Sequence, residues 1–241
     1  MCPSGNCLNN LLSEMDSLKN PKKAETIQKF FKTGKGEYAE GDVFLGITVP
    51  QQRKLAKKYI HLNFDELQEL LNSRIHEHRL TALLILTYKY QRAKSNEDLK
   101  RDIYKFYLKN TKNINNWDLV DTSCYKIVGN YLFDKNRNVL YELAKSENLW
   151  ERRISIVSTF EFIRKYDFND TLKISKILLN DRHDLIHKAV GWMLREVGKR
   201  NRAVEEEFLE KYCVVMPRTM LRYAVEKFDK EKRLYYLKKQ K

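Results

Sequence analysis

The chain has 241 residues, of which 42% are hydrophobic, enough for a sizeable core in one large domain or two small ones. Its 46 Lys and Arg exceed its 32 Asp and Glu by 14, and the pI is near 9.5. This charge surplus favours a polyanionic partner, with nucleic acid as the leading candidate. The longest apolar runs, such as residues 82–86, fall far short of the roughly 20 residues that cross a bilayer, so no membrane partner is expected.

The N-terminal residues and the cysteines indicate a compartment. The first residues lack a basic region followed by a long apolar segment, so no secretory signal is visible. Four cysteines are scattered at Cys2, Cys7, Cys124 and Cys213, unlike the dense pairs of a small secreted scaffold. The sequence therefore predicts a reducing, cytoplasmic location. Residues 1–20 are interpreted as a loosely ordered N-terminal extension of a single domain that covers 1–241.

Most of the chain carries the pattern of amphipathic helices. There are 8 Gly and 4 Pro, and apolar residues recur at three- and four-residue spacing. The segment Thr33–Gly46 interrupts this pattern with four glycines and the acidic residues Glu37, Glu40 and Asp42. It is predicted to be an exposed loop, which acts either as a connector between helical pairs or as a flap beside a binding face. The fold class predicted for the whole chain is all-α.

A helix is predicted just after this loop. Pro50 suits the first turn of a helix through residues 51–59, and Asn63 suits the cap of the next helix. Four basic side chains along one side of the first helix form a possible track for phosphates, or else an ordinary solvated face. These residues are Arg53, Lys54, Lys57 and Lys58.

An internal repeat follows from aligning polar or basic pairs that precede apolar runs. The second members of these pairs stand at positions 79, 116, 153, 188 and 218, which are 37, 37, 35 and 30 residues apart. This period is typical of two-helix repeats, which stack into a curved solenoid because one unit cannot bury its apolar stripe alone. The concave face of such a solenoid, here predicted to be basic, is the natural binding surface. An irregular helical bundle is the alternative.

Residues in the middle and later repeats suggest a binding site. Trp117 and Asp121 are four residues apart, so they share one face of a helix. Arg153 and Trp192 occupy comparable positions in later repeats, and stacking would bring all four onto the concave face. Two indole rings and a carboxylate suit a cation, while an arginine suits a phosphate. DNA that carries a positively charged alkylated base combines both charges. The alternative reading of each tryptophan is a core residue.

The run His183-Asp184-Leu185-Ile186-His187 superficially resembles the helix of a zinc protease. Its acid is Asp and not Glu, and no third ligand follows downstream. We therefore interpret Asp184 as a first-turn residue and His183 as a residue near the helix cap. No metal site is predicted.

Most of the chain, from about Ala24 to Leu237, resembles the DNA alkylation repair glycosylases of the AlkD type, which are built from HEAT-like helical repeats. The most specific marks of this resemblance are four motifs: Phe-Leu-Gly-Ile-Thr-Val-Pro-Gln-Gln-Arg (44–53), Asn-Trp-Asp-Leu-Val-Asp (116–121), Leu-Trp-Glu-Arg-Arg (149–153) and Lys-Ala-Val-Gly-Trp-Met-Leu-Arg-Glu (188–196).

The resemblance implies hydrolysis of the N-glycosidic bond of positively charged N3- and N7-alkylated purines in double-stranded DNA, by a monomer without metal or cofactor. It implies that Asp121 is the catalytic carboxylate, that Trp117 and Trp192 pack against the damaged nucleotide, and that Arg153 contacts its phosphate. Members of the family are thought to act without flipping the base. The residue Phe30 stands where some members have Tyr.

Two alternatives from other functional classes fit the same sequence. Some relatives of this fold bind DNA without excising a base, so a non-catalytic repeat module is the principal alternative to an enzyme. A generic helical scaffold for acidic proteins or RNA would explain the charge and the repeat, but it would leave the four matched positions unexplained.

Overall fold

A computed structural model describes residues 7–239 of the chain. Within these residues the fold is all-helical, with sixteen α-helices and no β-strand. The one extended pairing among residues 7–239 is an isolated parallel bridge between Val43 and Ile75. None of the helices in the described part of the chain is both long and apolar enough to cross a membrane. The predicted all-α fold class is confirmed.

Contacts between residues divide the chain into two compact units, Met1–Ser123 and Cys124–Lys241. The prediction of a single domain over 1–241 stays a prediction. The first unit contains α1 (Cys7–Ser17), α2 (Pro21–Phe30), α3 (Val49–Lys58), α4 (Phe64–Leu71), α5 (His76–Arg92), α6 (Glu97–Lys109) and most of α7 (Trp117–Cys124).

The second unit begins with a π-helical turn, Tyr125–Gly129, which leads directly into the short helix α8. Short 3-10 turns follow two of its helices, at Leu178–Asn180 and Val225–Lys227. Its α-helices are α8 (Asn130–Leu132), α9 (Asn138–Leu143), α10 (Leu149–Ser158), α11 (Phe160–Arg164), α12 (Asn169–Ile177), α13 (Asp184–Gly198), α14 (Arg202–Tyr212), α15 (Arg218–Ala224) and α16 (Lys230–Lys239).

The helix starts predicted from the sequence are confirmed. Pro50 lies in the first turn of α3, and Gln51 accepts a hydrogen bond from the backbone N–H of Thr48 at 3.0 Å. Asn63 caps α4 by accepting a hydrogen bond from the backbone N–H of Glu66 at 2.9 Å. Because the first N–H groups of a helix have no partner within it, these side chains determine where each helix begins.

Paired helices account for the repeat seen in the sequence. The helices come in pairs along the chain: α4 with α5, α6 with α7, α9 with α10, α12 with α13, and α14 with α15. Each of the five polar residue pairs found in the sequence lies at or near the start of the second helix of such a pair. Within the first unit α3 packs on α5, and within the second unit α10 packs on α13 and α13 on α15. Second helices thus stack on second helices in the second unit, as two-helix repeats require. The basic concave face stays a prediction.

The packing of α13 on α15 in the second unit depends on a glycine. A Cβ atom added at Gly191 of α13 would lie 2.4 Å from the carbonyl oxygen of Met220 in α15. No real Cβ approaches an oxygen so closely, so the two backbones can come together because residue 191 has no side chain.

The structure differs from the predicted N-terminal extension. Of residues 1–20, residues 1–6 lie outside the described part of the chain, and α1 forms from Cys7 onwards. Leu11 and Met15 of this helix are completely buried. Glu14 contacts Lys58 and accepts a hydrogen bond from the Tyr59 hydroxyl at 2.8 Å. Glu14 therefore connects α1 to the end of α3, while Leu11 and Met15 contribute to the core.

The prediction of an exposed loop at Thr33–Gly46 is wrong for part of the segment. Residues 34–37, 40, 41 and 43 are exposed, but Ala39, Asp42 and residues 44–47 are buried. Gly46 adopts a φ of +80°, and a Cβ at this position would lie 2.2 Å from the carbonyl oxygen of Asn20. The segment is therefore folded back into the first unit. Its glycine content had indicated an exposed loop instead.

Candidate active site

Helix α7 carries the two residues that the sequence singled out in the first unit. Asn116 is completely buried, its carbonyl accepts the first helical hydrogen bond from Val120 at 3.2 Å, and its side-chain oxygen accepts a hydrogen bond from the N–H of Trp117 at 2.8 Å. Asp118 adds a negative charge to the first turn, where the helix dipole favours it. Trp117 and Asp121, one turn apart on one face, are both half-buried. The indole and the carboxylate thus reach solvent from one side of the helix.

The folded segment after α2 supplies an aromatic partner for Trp117. The ring of Phe31 stacks on the Trp117 indole with a centroid distance of 5.3 Å and an interplanar angle of 20°. On the same ring system, Phe31 stacks against Phe44 at 5.2 Å. Offset stacking of this kind is worth about 0.5–1.5 kcal/mol beyond the area it buries. The orientation of Trp117 is therefore coupled to the position of residues 31–44.

A buried charged cluster, which we call the His76 cluster, lies beside these rings and contains Asp42, His76, Arg79 and Asp118. His76 Nε2 is 2.7 Å from Asp118 Oδ2, and His76 Nδ1 is 3.5 Å from Asp42 Oδ2. Arg79 donates a hydrogen bond to Asp42 Oδ2 at 2.7 Å. Burial raises the pKa of Asp42, but the hydrogen bond from His76 and the charge of Arg79 outweigh burial and lower it overall. The cluster connects the folded segment, α5 and α7.

Glu77 fixes the end of the same segment. Its carboxylate accepts hydrogen bonds from the backbone N–H groups of Leu45 at 3.0 Å, Gly46 at 2.8 Å and Ile47 at 3.3 Å. The side chain is 2% exposed, so these N–H groups have little access to water. Hydrogen bonds to a charged acceptor are stronger than neutral ones, and this carboxylate replaces the partners that a regular helix would supply.

Sequence reasoning missed the His76 cluster and Glu77. The signal was the run His76-Glu77-His78-Arg79 at the start of α5, a helix whose central residues are almost all buried. Four consecutive polar side chains ahead of a fully buried apolar run need partners from elsewhere in the fold. The interpretation of His78-Arg79 as a repeat marker alone overlooked this requirement.

The other two predicted lesion contacts lie in the second unit. Arg153 of α10 is 5% exposed and donates a hydrogen bond to the carbonyl of Leu185, in the first turn of α13. Trp192 of α13 is half-buried, with its ring 5.9 Å from that of Phe160. Arg153 is therefore hydrogen-bonded to α13, the helix that carries Trp192. Its contact with a phosphate stays a prediction. The presence of Trp117, Asp121, Arg153 and Trp192 on one concave face also stays a prediction.

The basic track on α3 is exposed as a group. Arg53, Lys54, Lys57 and Lys58 are all exposed to solvent. Lys58 forms an ion pair with Glu14, and the Lys57 ammonium is 5.8 Å from the centroid of the Tyr88 ring. The charge of Lys58 is thus partly neutralised within the protein, so Arg53 and Lys54 are the stronger candidates for phosphate contacts.

The histidine pair on α13 has a structural position. His183 caps this helix, with its Nδ1 accepting a hydrogen bond from the N–H of Leu185 at 3.1 Å, and Asp184 lies in the first turn, as predicted. His187 Nε2 is 2.5 Å from the carbonyl oxygen of Asp181. Within residues 7–239, no group of three or more His, Cys, Asp or Glu side chains is arranged to hold a metal ion.

Comparison with known proteins gives two findings. The model of a family of DNA alkylation repair enzymes matches residues 11–228. A predicted DNA alkylation repair enzyme from Enterococcus faecalis has a similar structure, with a TM-score of 0.68 and 20% sequence identity, over 88% of this chain and 97% of the other. At that identity the second likeness concerns the fold. None of the curated proteins matches the sequence.

Proposed function

Because the chain belongs to the family of DNA alkylation repair enzymes, we propose that it is a DNA glycosylase. In this proposal it hydrolyses the N-glycosidic bond of positively charged N3- and N7-alkylated purines in duplex DNA, and it acts as a monomer without metal or cofactor. The observation that carries the proposal is the pairing of Trp117 with Asp121 on α7. Both side chains are half-buried, one helical turn apart, and the indole is held from behind by Phe31.

The proposed reaction needs no strong general acid from the protein. An alkylated purine is already cationic, so its bond to C1′ of the deoxyribose breaks with both electrons going to the ring, which leaves as a neutral base. Positive charge then develops on the sugar, where the Asp121 carboxylate stabilises it electrostatically. Water adds to C1′ and gives its proton to Asp121. The products are the free purine, an abasic site and one proton.

The remaining predicted residues would hold the lesion. Trp117 and Trp192 present partly exposed indoles, which suit contact with the deoxyribose and with a cationic base. Arg153 would contact the phosphate of the damaged nucleotide with guanidinium N–H groups other than the one that Leu185 accepts. Arg53 and Lys54 would bind the DNA backbone along α3, which packs on α5.

The decisive experiment compares wild type with Asp121→Asn in the release of 7-methylguanine and 3-methyladenine from methylated duplex DNA, under single-turnover conditions. The substitution removes one charge with little change in volume, so DNA affinity should persist while the excision rate falls on the order of 10²–10³-fold. Asp134→Asn is the matched control, because it makes the same change at an exposed position. An Asp121→Asn protein as active as wild type would contradict the role of this carboxylate.

The same assay separates the enzyme from a non-catalytic module. A folded wild-type protein that binds methylated DNA but releases neither base would favour the binding module over the glycosylase. Release by wild type and by Asp134→Asn, but not by Asp121→Asn, would establish both the activity and the carboxylate.

The basic track gives a separate prediction about DNA affinity. Replacing Arg53 and Lys54 with Gln should lower the slope of log affinity against log salt by about 1–2, because each phosphate contact contributes roughly 0.9 to that slope. Lys105→Gln with Lys109→Gln is the control, since both lysines are exposed on α6, a first helix of a pair. Equal slopes for the two double variants would exclude a phosphate track on α3.

A further inference from the structure

His76 lies where three parts of the first unit meet. It is the first residue of α5, it faces Asp42 of the folded segment through Nδ1, and it faces Asp118 of α7 through Nε2. Its side chain is 3% exposed. The base excision proposed above does not use this histidine, so its two carboxylate contacts require another explanation.

Those contacts favour a cationic ring. A neutral imidazole has one N–H and could donate to one of the two carboxylates, whereas the imidazolium donates to both. Burial lowers the pKa of His76, but the charge and hydrogen bond of Asp118 and the hydrogen bond of Asp42 raise it, against the opposing charge of Arg79, to about 9. The ring is therefore charged at neutral pH, and Asp42, Asp118 and Arg79 are the charged groups that face it.

A second route connects His76 to Trp117 through aromatic rings. The imidazole lies 5.0 Å from the Phe31 ring and 4.9 Å from the Phe44 ring, measured between centroids. Phe31 in turn stacks on Trp117. A cation against aromatic faces is attractive, particularly when it is desolvated. His76 thus acts on the first turn of α7 from two sides, through the carboxylate of Asp118 and through the ring of Phe31.

We propose that His76 is a positioning residue, which orients Trp117 and, one turn later, Asp121 by holding the first turn of α7 through Asp118 and Phe31. The folded segment becomes part of the site by the same contacts, since Asp42 faces Nδ1 of the imidazole and Phe44 packs against the ring. The consequence for base excision rests on the proposed glycosylase function, whereas the orientation of Trp117 does not. A displacement of about 1 Å in a reacting group can cost 10²-fold in rate.

The orientation of Trp117 is tested first, on the wild-type protein labelled with 5-fluorotryptophan. The chain has three tryptophans, so ¹⁹F spectra give three resonances, and the one lost in Trp117→Phe belongs to Trp117. Between pH 7 and 10 this resonance should shift with the midpoint of the His76 ring nitrogens in ¹⁵N spectra, near pH 9. The resonances of Trp150 and Trp192 should not shift with that midpoint. In His76→Gln the Trp117 shift should be absent.

The effect on excision is tested with His76→Gln and Asp118→Asn, alone and combined, at saturating methylated DNA. Each variant should slow single-turnover release about 10–100-fold while the dissociation constant for DNA stays within about twofold. The double variant should be no slower than the slower single one, because both substitutions remove the same contact. His61→Gln, at an exposed histidine, is the matched control.

The outcomes separate this inference from the function on which its second half rests. A Trp117 resonance that does not respond to the protonation of His76 overturns the positioning role, whatever the activity. An active wild type whose His76→Gln variant excises at the wild-type rate overturns it as well. If wild type releases no base at all, the glycosylase proposal fails, and the Trp117 resonance alone decides whether His76 positions α7.

Discussion

Glu205 is a carboxyl group that the second unit buries with only partial compensation of its charge. The side chain lies on α14 directly over Gly198 of α13, where an added Cβ would be 1.5 Å from Glu205 Oε2. It is 1% exposed, Oε2 is 3.7 Å from an Arg202 nitrogen, and Oε1 has no hydrogen-bond partner among the described residues. Burial raises the pKa of Glu205 to about 8, with Arg202 opposing this rise and Glu206 adding to it.

The raised pKa makes the stability of the protein depend on pH. In the unfolded chain this group loses its proton near its ordinary value of 4.5, whereas in the folded protein it keeps the proton until about pH 8. Between these values the folded state binds more protons, so the free energy of unfolding falls as pH rises. A shift of this size corresponds to about 5 kcal/mol once the pH exceeds 8, as an upper bound.

Glu205→Gln should remove this dependence, because the amide is neutral at every pH. Urea unfolding followed by circular dichroism should find the variant and the wild type similar in stability near pH 4.5. At pH 9 the variant should be more stable by several kcal/mol, up to the bound of about 5 kcal/mol. Glu147→Gln, at an exposed position, is the control and should follow the wild type. A Glu205→Gln curve that runs parallel to the wild-type curve from pH 4.5 to 9 would refute the reasoning.

Two further substitutions test one contact within each unit. Glu77→Ala should lower the free energy of unfolding by about 3–6 kcal/mol in urea titrations, because three buried N–H groups lose their acceptor. The control Glu69→Ala, on the exposed side of α4, should lower it little. A loss below about 1 kcal/mol for Glu77→Ala would mean that other groups or water replace the carboxylate. Gly191→Ala should lower the melting temperature, although Ala has the better helix propensity. The new methyl group would clash with the Met220 carbonyl, and overpacking of this kind costs about 1–3 kcal/mol. An unchanged melting temperature would show that α13 and α15 can move apart without loss of stability.

The sequence predicted the helical pairs because the information for them is local. Apolar spacing, Pro50 and Asn63 each act within a few residues, and the polar pairs recur once in each two-helix unit. Trp117 and Asp121 could be placed on one face for the same reason, since helical periodicity alone relates them.

The environment of that face could not be predicted, because its parts come from distant places in the chain. Asp42 has its partners at His76 and Arg79, more than 30 residues away, and Phe31 meets Trp117 across more than 80 residues. Glycines and acids in the segment around Asp42 suggested a solvated loop, and no local pattern reveals that a histidine and an arginine neutralise the buried acid. The sequence thus could not predict these contacts because they join residues that are far apart in the chain.

The segment after α2 combines two kinds of backbone. Phe31 and Ala39 are buried at either side of residues 34–37, which are exposed, and from Asp42 onwards the chain is fastened by side chains of α5. Insertions at residues 34–37 therefore lengthen a span between two fixed points without moving either of them, whereas a single residue added between Asp42 and Ile47 would shift every later N–H away from Glu77. A fluorescent or affinity tag belongs at the exposed turn, where it would report on the neighbourhood of Trp117 while leaving its supports in register.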